Sequence, residues 1–289
     1  MKKLFGICFL FIFAISIDAA EPIKNVPQYL QDISVTIHAG NAQGSGVITN
    51  IGNVNYVWTA GHVIENLRKT RTIIDPILGT SKTLIEFDDV EIVKDLLEEG
   101  RTVGQIRFFA QVLRYSDAEV GDDLAVLKVR KKNLSPIVVR FYLDKEIPLL
   151  GSELYHVGSL LGQVGSNSMT RGIMSQHGRL LFGKVFDQTT CAAFPGSSGG
   201  GVYLTDGRYV GMIVRGAGET FNLTVPIRRM REWAKRMGVE FTLDPSLKVP
   251  TEEELNRFPI ENDNNSNRVN GKSGKTARKN FPYLIQDIE

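Results

Sequence analysis

The residues best placed to do chemistry are a serine, a histidine and an aspartate, each in a distinctive setting. Pro195-Gly196-Ser197-Ser198-Gly199-Gly200 sets serine among glycines. Residues without a Cβ let a backbone approach a substrate carbonyl closely and turn amide hydrogens toward it. Thr59-Ala60-Gly61-His62 puts an imidazole at the end of an apolar run, and Asp123-Leu124-Ala125-Val126-Leu127 puts a carboxylate at the start of another. Taken singly, each has an ordinary reading: a flexible loop, a structural histidine, a turn aspartate. Together they supply what acyl transfer requires. A serine hydroxyl is a weak nucleophile until a neighbouring imidazole takes its proton. A carboxylate on the other ring nitrogen holds that imidazole in one tautomer. Amide donors facing the developing oxyanion are worth ~3–4 kcal/mol each.

Chain order narrows the possibilities. Gly196-Ser197-Ser198-Gly199-Gly200 also fits Gly-x-Ser-x-Gly, the elbow of α/β-hydrolases, but that fold places its histidine after the serine. All four histidines, His38, His62, His156 and His177, precede Ser198. The subtilisin order needs the aspartate first; Asp32 precedes His62 but stands in no such motif, and a strand-rich chain is wrong for that fold. The order His, Asp, Ser is that of the chymotrypsin-type double barrel.

On these motifs the chain resembles a trypsin-like serine protease of the chymotrypsin fold, and within that group the bacterial HtrA/Deg type. Besides the three segments above, the resemblance rests on Gln188 to Gly200, on Gly211-Met212-Ile213-Val214-Arg215-Gly216 and on Val225-Pro226-Ile227, and it covers residues 30–238. It implies that His62 is the general base, Asp123 its orienting acid and Ser198 the nucleophile, with Asp122 the alternative acid. The amides of Gly196 and Ser198 would form the oxyanion hole, and Ala192, Val214, Arg215 and Gly216 the substrate-binding wall. Ala192 stands where trypsin carries the acid that reads Lys or Arg, so the expected preference before the cut is for small or medium apolar residues. Arg215 would reach acidic groups further along the substrate. Ser197 replaces the aspartate that in trypsins pairs with a newly cut N-terminus, so that activation switch is not expected. No PDZ-type domain is expected, since little sequence follows Gly238.

These residues must be positioned by strands. Short runs rich in Val, Ile, Tyr and Phe recur between Gly, Asn, Asp and Ser: residues 34–38, 46–49, 55–59, 105–114, 124–129, 136–142, 153–157, 169–176, 201–204, 208–214 and 221–225. Many short strands close into barrels or sandwiches to hide their edges. The fold class is therefore all-β, and the resemblance sharpens it to two six-stranded antiparallel β-barrels. One helix is expected at 226–238, opened by Pro226, striped by Ile227, Met230, Trp233 and Ala234, and ended by Gly238, with its arginines and lysines mostly on the solvated face.

The chain has 289 residues, 42% of them hydrophobic and 23% charged, which excludes a wholly disordered chain and collagen. Residues 1–20 read as a secretory signal peptide: two lysines, an apolar run from Leu4 to Ile17, then small residues. The alternative is an uncleaved membrane anchor. Residues 21–260 are read as the protease domain, with barrel 1 at 30–132, barrel 2 at 136–226 and the helix after it. Residues 261–289 are a low-complexity tail whose last stretch, Phe281 to Ile288, is apolar enough to dock. Without Lys2, Lys3 and Asp18, the 34 basic and 32 acidic residues leave a charge of +1, an unpromising balance for a nucleic-acid partner.

Of two cysteines, Cys8 falls in the signal, leaving Cys191 without a disulfide partner. No Cys/His pair has metal-ligand spacing, and no cofactor is expected. The near-match to a phosphate-binding loop at 178–185 has Val185 where Ser or Thr is needed and reads as a hairpin. Asn133, Asn222 and Asn264 begin chance matches to the glycosylation triplet. The expected protein is thus a secreted or periplasmic serine endopeptidase acting on protein or peptide substrates. The competing expectation is an inactive, protease-like binding or scaffold module.

Overall fold

The computed structural model describes residues 22–261, apart from 75, 76, 78, 217 and 218, together with 286 and 287. Residues 1–20, which the sequence reads as a signal peptide, and nearly all of the tail therefore lie outside the described residues. The helix α1 spans Val26–Asp32. Strands β1 (Ser34–Ala39), β2 (Ala42–Ile51), β3 (Val54–Thr59), β6 (Val90–Glu98), β7 (Arg101–Ser116) and β8 (Leu124–Val129) close a barrel in the order β1-β2-β3-β8-β7-β6. Strands β4 (Arg68–Ile74) and β5 (Ser81–Phe87) form a separate ribbon, and the short helix α2 (Gly61–Ile64) follows β3.

The second barrel uses β9 (Glu153–Gly158), β10 (Ser168–Leu181), β11 (Lys184–Thr189), β12 (Gly201–Leu204), β13 (Tyr209–Gly216) and β14 (Asn222–Pro226). Their order is β12-β9-β10-β11-β14-β13, and a β12–β13 pairing closes the ring. Helices α3 (Ile227–Arg236) and α4 (Glu252–Asn256) follow, and β15 (Gln286–Asp287) adds to β13. The chain is thus two six-stranded antiparallel barrels, as the motif order implied.

The barrels close because their inward residues are apolar. Ile37, Val47, Val57, Leu127, Val157, Val202, Ile213 and Val225 are all buried, and burying such side chains contributes roughly 1.5–3 kcal/mol each. Helix α3 leaves the second barrel yet packs on the first: Trp233 meets Trp58 edge-to-face at 5.7 Å. Trp58 in turn donates from Nε1 to Thr242 Oγ1 at 3.2 Å.

Several elements differ from the sequence reading. Arg229 is not on a solvated face. It is buried, donating to the carbonyls of Val185 (2.9 Å) and Asp122, and so ties α3 to both barrels. Residues 136–142 form no strand. Asn50 N donates to Ile137 O at 2.8 Å, while Val139, Arg140 and Tyr142 donate to Thr49 Oγ1, the Tyr29 hydroxyl and Tyr209 O. An apolar run that crosses from one barrel to the other spreads its hydrogen bonds over both rather than along one ladder. Glu261, placed in the tail by sequence, is buried: Arg68 Nε donates to it at 2.7 Å, and it bridges to Tyr115 in parallel. Residues 178–185 span the end of β10, a turn at Phe182-Gly183 and the start of β11, with Phe182 and Gly183 both at positive φ, the geometry of a two-residue hairpin.

Candidate active site

Pairing of β3 with β8 brings the histidine and the aspartate together. Thr59 is in register with Ala125, so the chain just past β3 lies beside the chain just before β8. Gly61 allows the close approach: a Cβ there would run into the Ser116 carbonyl and come within 3.2 Å of Leu124 N. His62 Nδ1 then lies 3.0 Å from Asp123 Oδ1 and 3.1 Å from Oδ2. The same Oδ1 accepts from the His62 amide at 3.0 Å, fixing the base of the side chain as well as its ring.

Asp123 sits at φ 57° and is buried. Left-handed backbone is tolerated best, after glycine, by Asn and Asp. Burial alone would raise its carboxyl pKa. The facing His62, its hydrogen bonds, and Arg215 outweigh that and hold it at about 2. The neighbouring Asp122 turns away, pairing with Arg236 at 2.8 Å and Arg229 at 3.3 Å. The structure places the two carboxylates the sequence offered differently: Asp123 faces His62, and Asp122 pairs with α3.

Ser198 follows a turn that its own sequence dictates. Phe194-Pro195-Gly196-Ser197 closes with Ser197 N donating to Phe194 O at 2.8 Å, and Gly196 is at φ 93°. That is a type II turn, which favours Pro at its second residue and needs glycine at its third. Its closing bond uses the Ser197 amide, not those of Gly196 or Ser198. The outer carbonyls are pinned: Leu161 N donates to Pro195 O at 2.7 Å, and Ser45 Oγ to Gly196 O at 2.6 Å. Ser45 also accepts from Ser159 N at 2.7 Å, and its amide donates to Ser198 O at 2.7 Å. Gly199 is packed against Thr59 Oγ1, Ala60 N and Ser45 O, leaving no room for a Cβ. The Ser198 loop of the second barrel therefore abuts the β3 end that carries His62.

Ser45, Thr59 and Ser159 were not legible as site residues, since lone serines and threonines in strands carry no local signal. His156, by contrast, is structural. It is buried beneath the loop, its Nδ1 lies 3.0 Å from Gly201 O, and burial lowers its pKa to about 4. Burial pushes the Cys191 thiol up to about 11, which leaves it protonated and inert as a nucleophile.

Ala192 is partly buried, with its carbonyl accepting from Thr170 Oγ1 at 2.8 Å. Val214 is buried, while Arg215 and Gly216 end β13. Arg215 does not extend along the strand. Its guanidinium lies 5.6 Å from the Phe182 ring and donates to Ala118 O at 3.3 Å, so it turns toward the Asp123 loop instead of outward. Sequence reasoning missed Asn222. It is buried, in register with Gly216, and donates from Nδ2 to Cys191 O at 2.7 Å. It thereby joins β14 to the Cys191–Ala192 segment, and its amide is not open to glycosylation. Among the described residues its Oδ1 has no partner.

Comparison with known proteins places the chain in a family. A family model described as "Trypsin-like peptidase domain" matches residues 44–212. A relative named "Probable periplasmic serine endoprotease DegP-like", from Halomonas elongata, is 30% identical over 172 residues, covering 58% of this chain and 28% of that protein. The chain thus spans less than a third of the relative's length. The serine endoprotease from Yersinia pestis superposes with a TM-score of 0.53 at 19% identity, over 76% of this chain and 66% of that one. The HtrA-type protease AlgW, solved with a tripeptide, gives 0.54 at 22% identity, over 75% and 63%. With the fold, the residue order and the matched span in agreement, the chain belongs to the trypsin-like peptidase domain family.

Proposed function

We propose that the chain is a serine endopeptidase working through His62, Asp123 and Ser198. The observation that carries this reading is the hold of one buried carboxylate on both the Nδ1 and the main-chain amide of His62, beside a glycine-flanked serine. Nδ1–H donated to Asp123 leaves Nε2 unprotonated and able to take a proton. His62 Nε2 removes the Ser198 hydroxyl proton as Oγ attacks the scissile carbonyl. The tetrahedral oxyanion forms against the amides of Gly196 and Ser198. The C–N bond breaks as His62 returns the proton to the leaving amine. Water, deprotonated by the same imidazole, then hydrolyses the acyl-enzyme.

The substrate would lie along Val214, Arg215 and Gly216, its primary side chain against Ala192. None of Ala192, Val214 and Gly216 carries a carboxylate, and Asn222 ties the Cys191 carbonyl to β14 beneath. A cationic side chain would be buried without a partner, which is costly. The preferred residue before the cut is therefore small or medium and apolar. The N-terminal segment and the periplasmic relative support an extracytoplasmic site of action.

Peptide-library cleavage read by mass spectrometry tests this directly. The expected result is cleavage after residues such as Ala, Val or Ile at least ~10-fold faster than after Lys or Arg, since each mismatched pocket contact is worth roughly 1–3 kcal/mol. The Ser198→Ala protein should cut nothing. Preferential cleavage after Lys or Arg would contradict the pocket reading.

A further inference from the structure

One edge of β13 is shared by three successive partners. Strand β12 pairs with it as far as Gly201 opposite Met212. The nucleophile loop comes next: Gly199 N donates to Ile213 O at 2.8 Å, and Ile213 N to Gly200 O at 3.0 Å. The third partner is β15, with Asp287 in register with Arg215 and Gln286 with Gly216. The opposite edge of β13 is taken by β14 over the same residues, Arg215 with Leu223 and Gly216 with Asn222. So β15 occupies the edge that leads straight to Ser198. Being antiparallel, it runs from Gly216 toward Ile213, pointing its chain direction at the nucleophile loop.

We propose that the chain's own segment around Gln286–Asp287 is the resident occupant of the β13 edge at Arg215–Gly216. This rests on the proposed function, in which the same edge receives the substrate. Two features favour the tail as occupant. The register seats Gln286 opposite Gly216 and Asp287 opposite Arg215, and main-chain pairing on a strand edge gives affinity without requiring a particular side chain. The tail is also tethered: Glu261 is held by Arg68 at 2.7 Å. The chain between Glu261 and Gln286, if extended, reaches ~80 Å, ample to span the molecule. A segment carried on the same chain has an effective concentration of the order of 1 mM at such an edge. A two-residue ladder need then have a dissociation constant of only ~0.1 mM to hold the edge about nine-tenths of the time. Substrate must displace it, so the tail acts as a built-in competitor.

The test compares the full chain with a chain ending at Asn280 and with full-length Gln286→Pro/Asp287→Pro, which keeps the tail but removes the backbone donors of the pairing segment. Binding is read first in the Ser198→Ala background, by fluorescence anisotropy of a labelled peptide with the sequence of residues 281–289. It should bind the shortened chain about 10-fold more tightly than the full chain, with the double-proline variant in between, at any protein concentration. In the Ser198 proteins, KM for a peptide substrate should fall about 10-fold on shortening, with kcat unchanged. Adding the 281–289 peptide should restore the higher KM. Equal peptide affinities in all three chains would overturn the proposal. So would a difference that grows with protein concentration, which would place the occupant on a second copy. The binding arm needs no turnover. Competition without cleavage would therefore sustain this proposal and refute the peptidase reading, and cleavage without competition would do the reverse.

Discussion

Ser198→Ala and His62→Ala are each expected to lower kcat by ~10⁶, and the double variant by no more than either alone. The serine and the imidazole act as one unit, because the hydroxyl has no useful nucleophilicity without the base and the base has no proton to take without the hydroxyl. Their placement makes both substitutions tests of chemistry. The Ser198 backbone is held through its carbonyl by the Ser45 amide, and its neighbour Gly199 by Ile213 O. Truncating the hydroxyl touches neither bond. The His62 amide keeps its bond to Asp123 Oδ1 when the ring is lost. Melting temperatures should therefore change little while steady-state rates collapse. A double variant much slower than either single one would mean that the two side chains act independently, contrary to the proposed mechanism.

Asp123→Asn is expected to lower kcat/KM by ~10⁴ with the fold intact. Asn is the replacement best suited to the left-handed backbone at this residue, φ 57°, so the substitution adds little strain. An amide facing Nδ1 offers its NH₂ to the ring and favours the tautomer with the proton on Nε2, which cannot accept from Ser198. The acid dependence follows from the same pair. Asp123 is held at about 2, below the ~3.9 of an unfolded aspartate. Its contribution to stability is present above pH ~4 and is lost as pH falls toward 2. The carboxylate thus stays ionised across the range in which imidazoles titrate. Loss of activity on mild acidification is therefore expected from the imidazole and not from Asp123, alongside the stability that buried His156, held at about 4, loses as pH falls below its unfolded value. A pH–rate profile recorded alongside circular dichroism separates the two. A coincident loss of rate and structure, or full activity in Asp123→Asn, would contradict this assignment.

The double barrel and the three proposed catalytic positions were legible because each had a local signal. Leu124 to Val129 alternates faces cleanly, and its strand spans those very residues. Pro195 and Gly196 fix a turn that needs no tertiary information. Other elements were hidden for identifiable reasons. In β6, Lys94 and Asp95 are buried, so charge broke the apolar pattern. The β4–β5 ribbon has few buried residues and hence little hydrophobic pattern to read. Helix α1 is a single short element whose only cue was Asn25, which caps it by accepting from Gln28 N at 3.2 Å, ahead of Pro27. Arg229 looked solvated on a helical wheel, and only the approach of the Asp122 loop buries it. Ser45, Asn222 and the β13 edge depend on residues far apart in sequence and could come only from the assembled barrels.

The most direct test of the central claim is labelling with a serine-directed fluorophosphonate, read by intact mass and peptide mapping. The account predicts a single adduct on Ser198, absent from folded Ser198→Ala and strongly slowed in His62→Ala. Folded wild-type protein that takes up no label, or carries it on another residue, would contradict it.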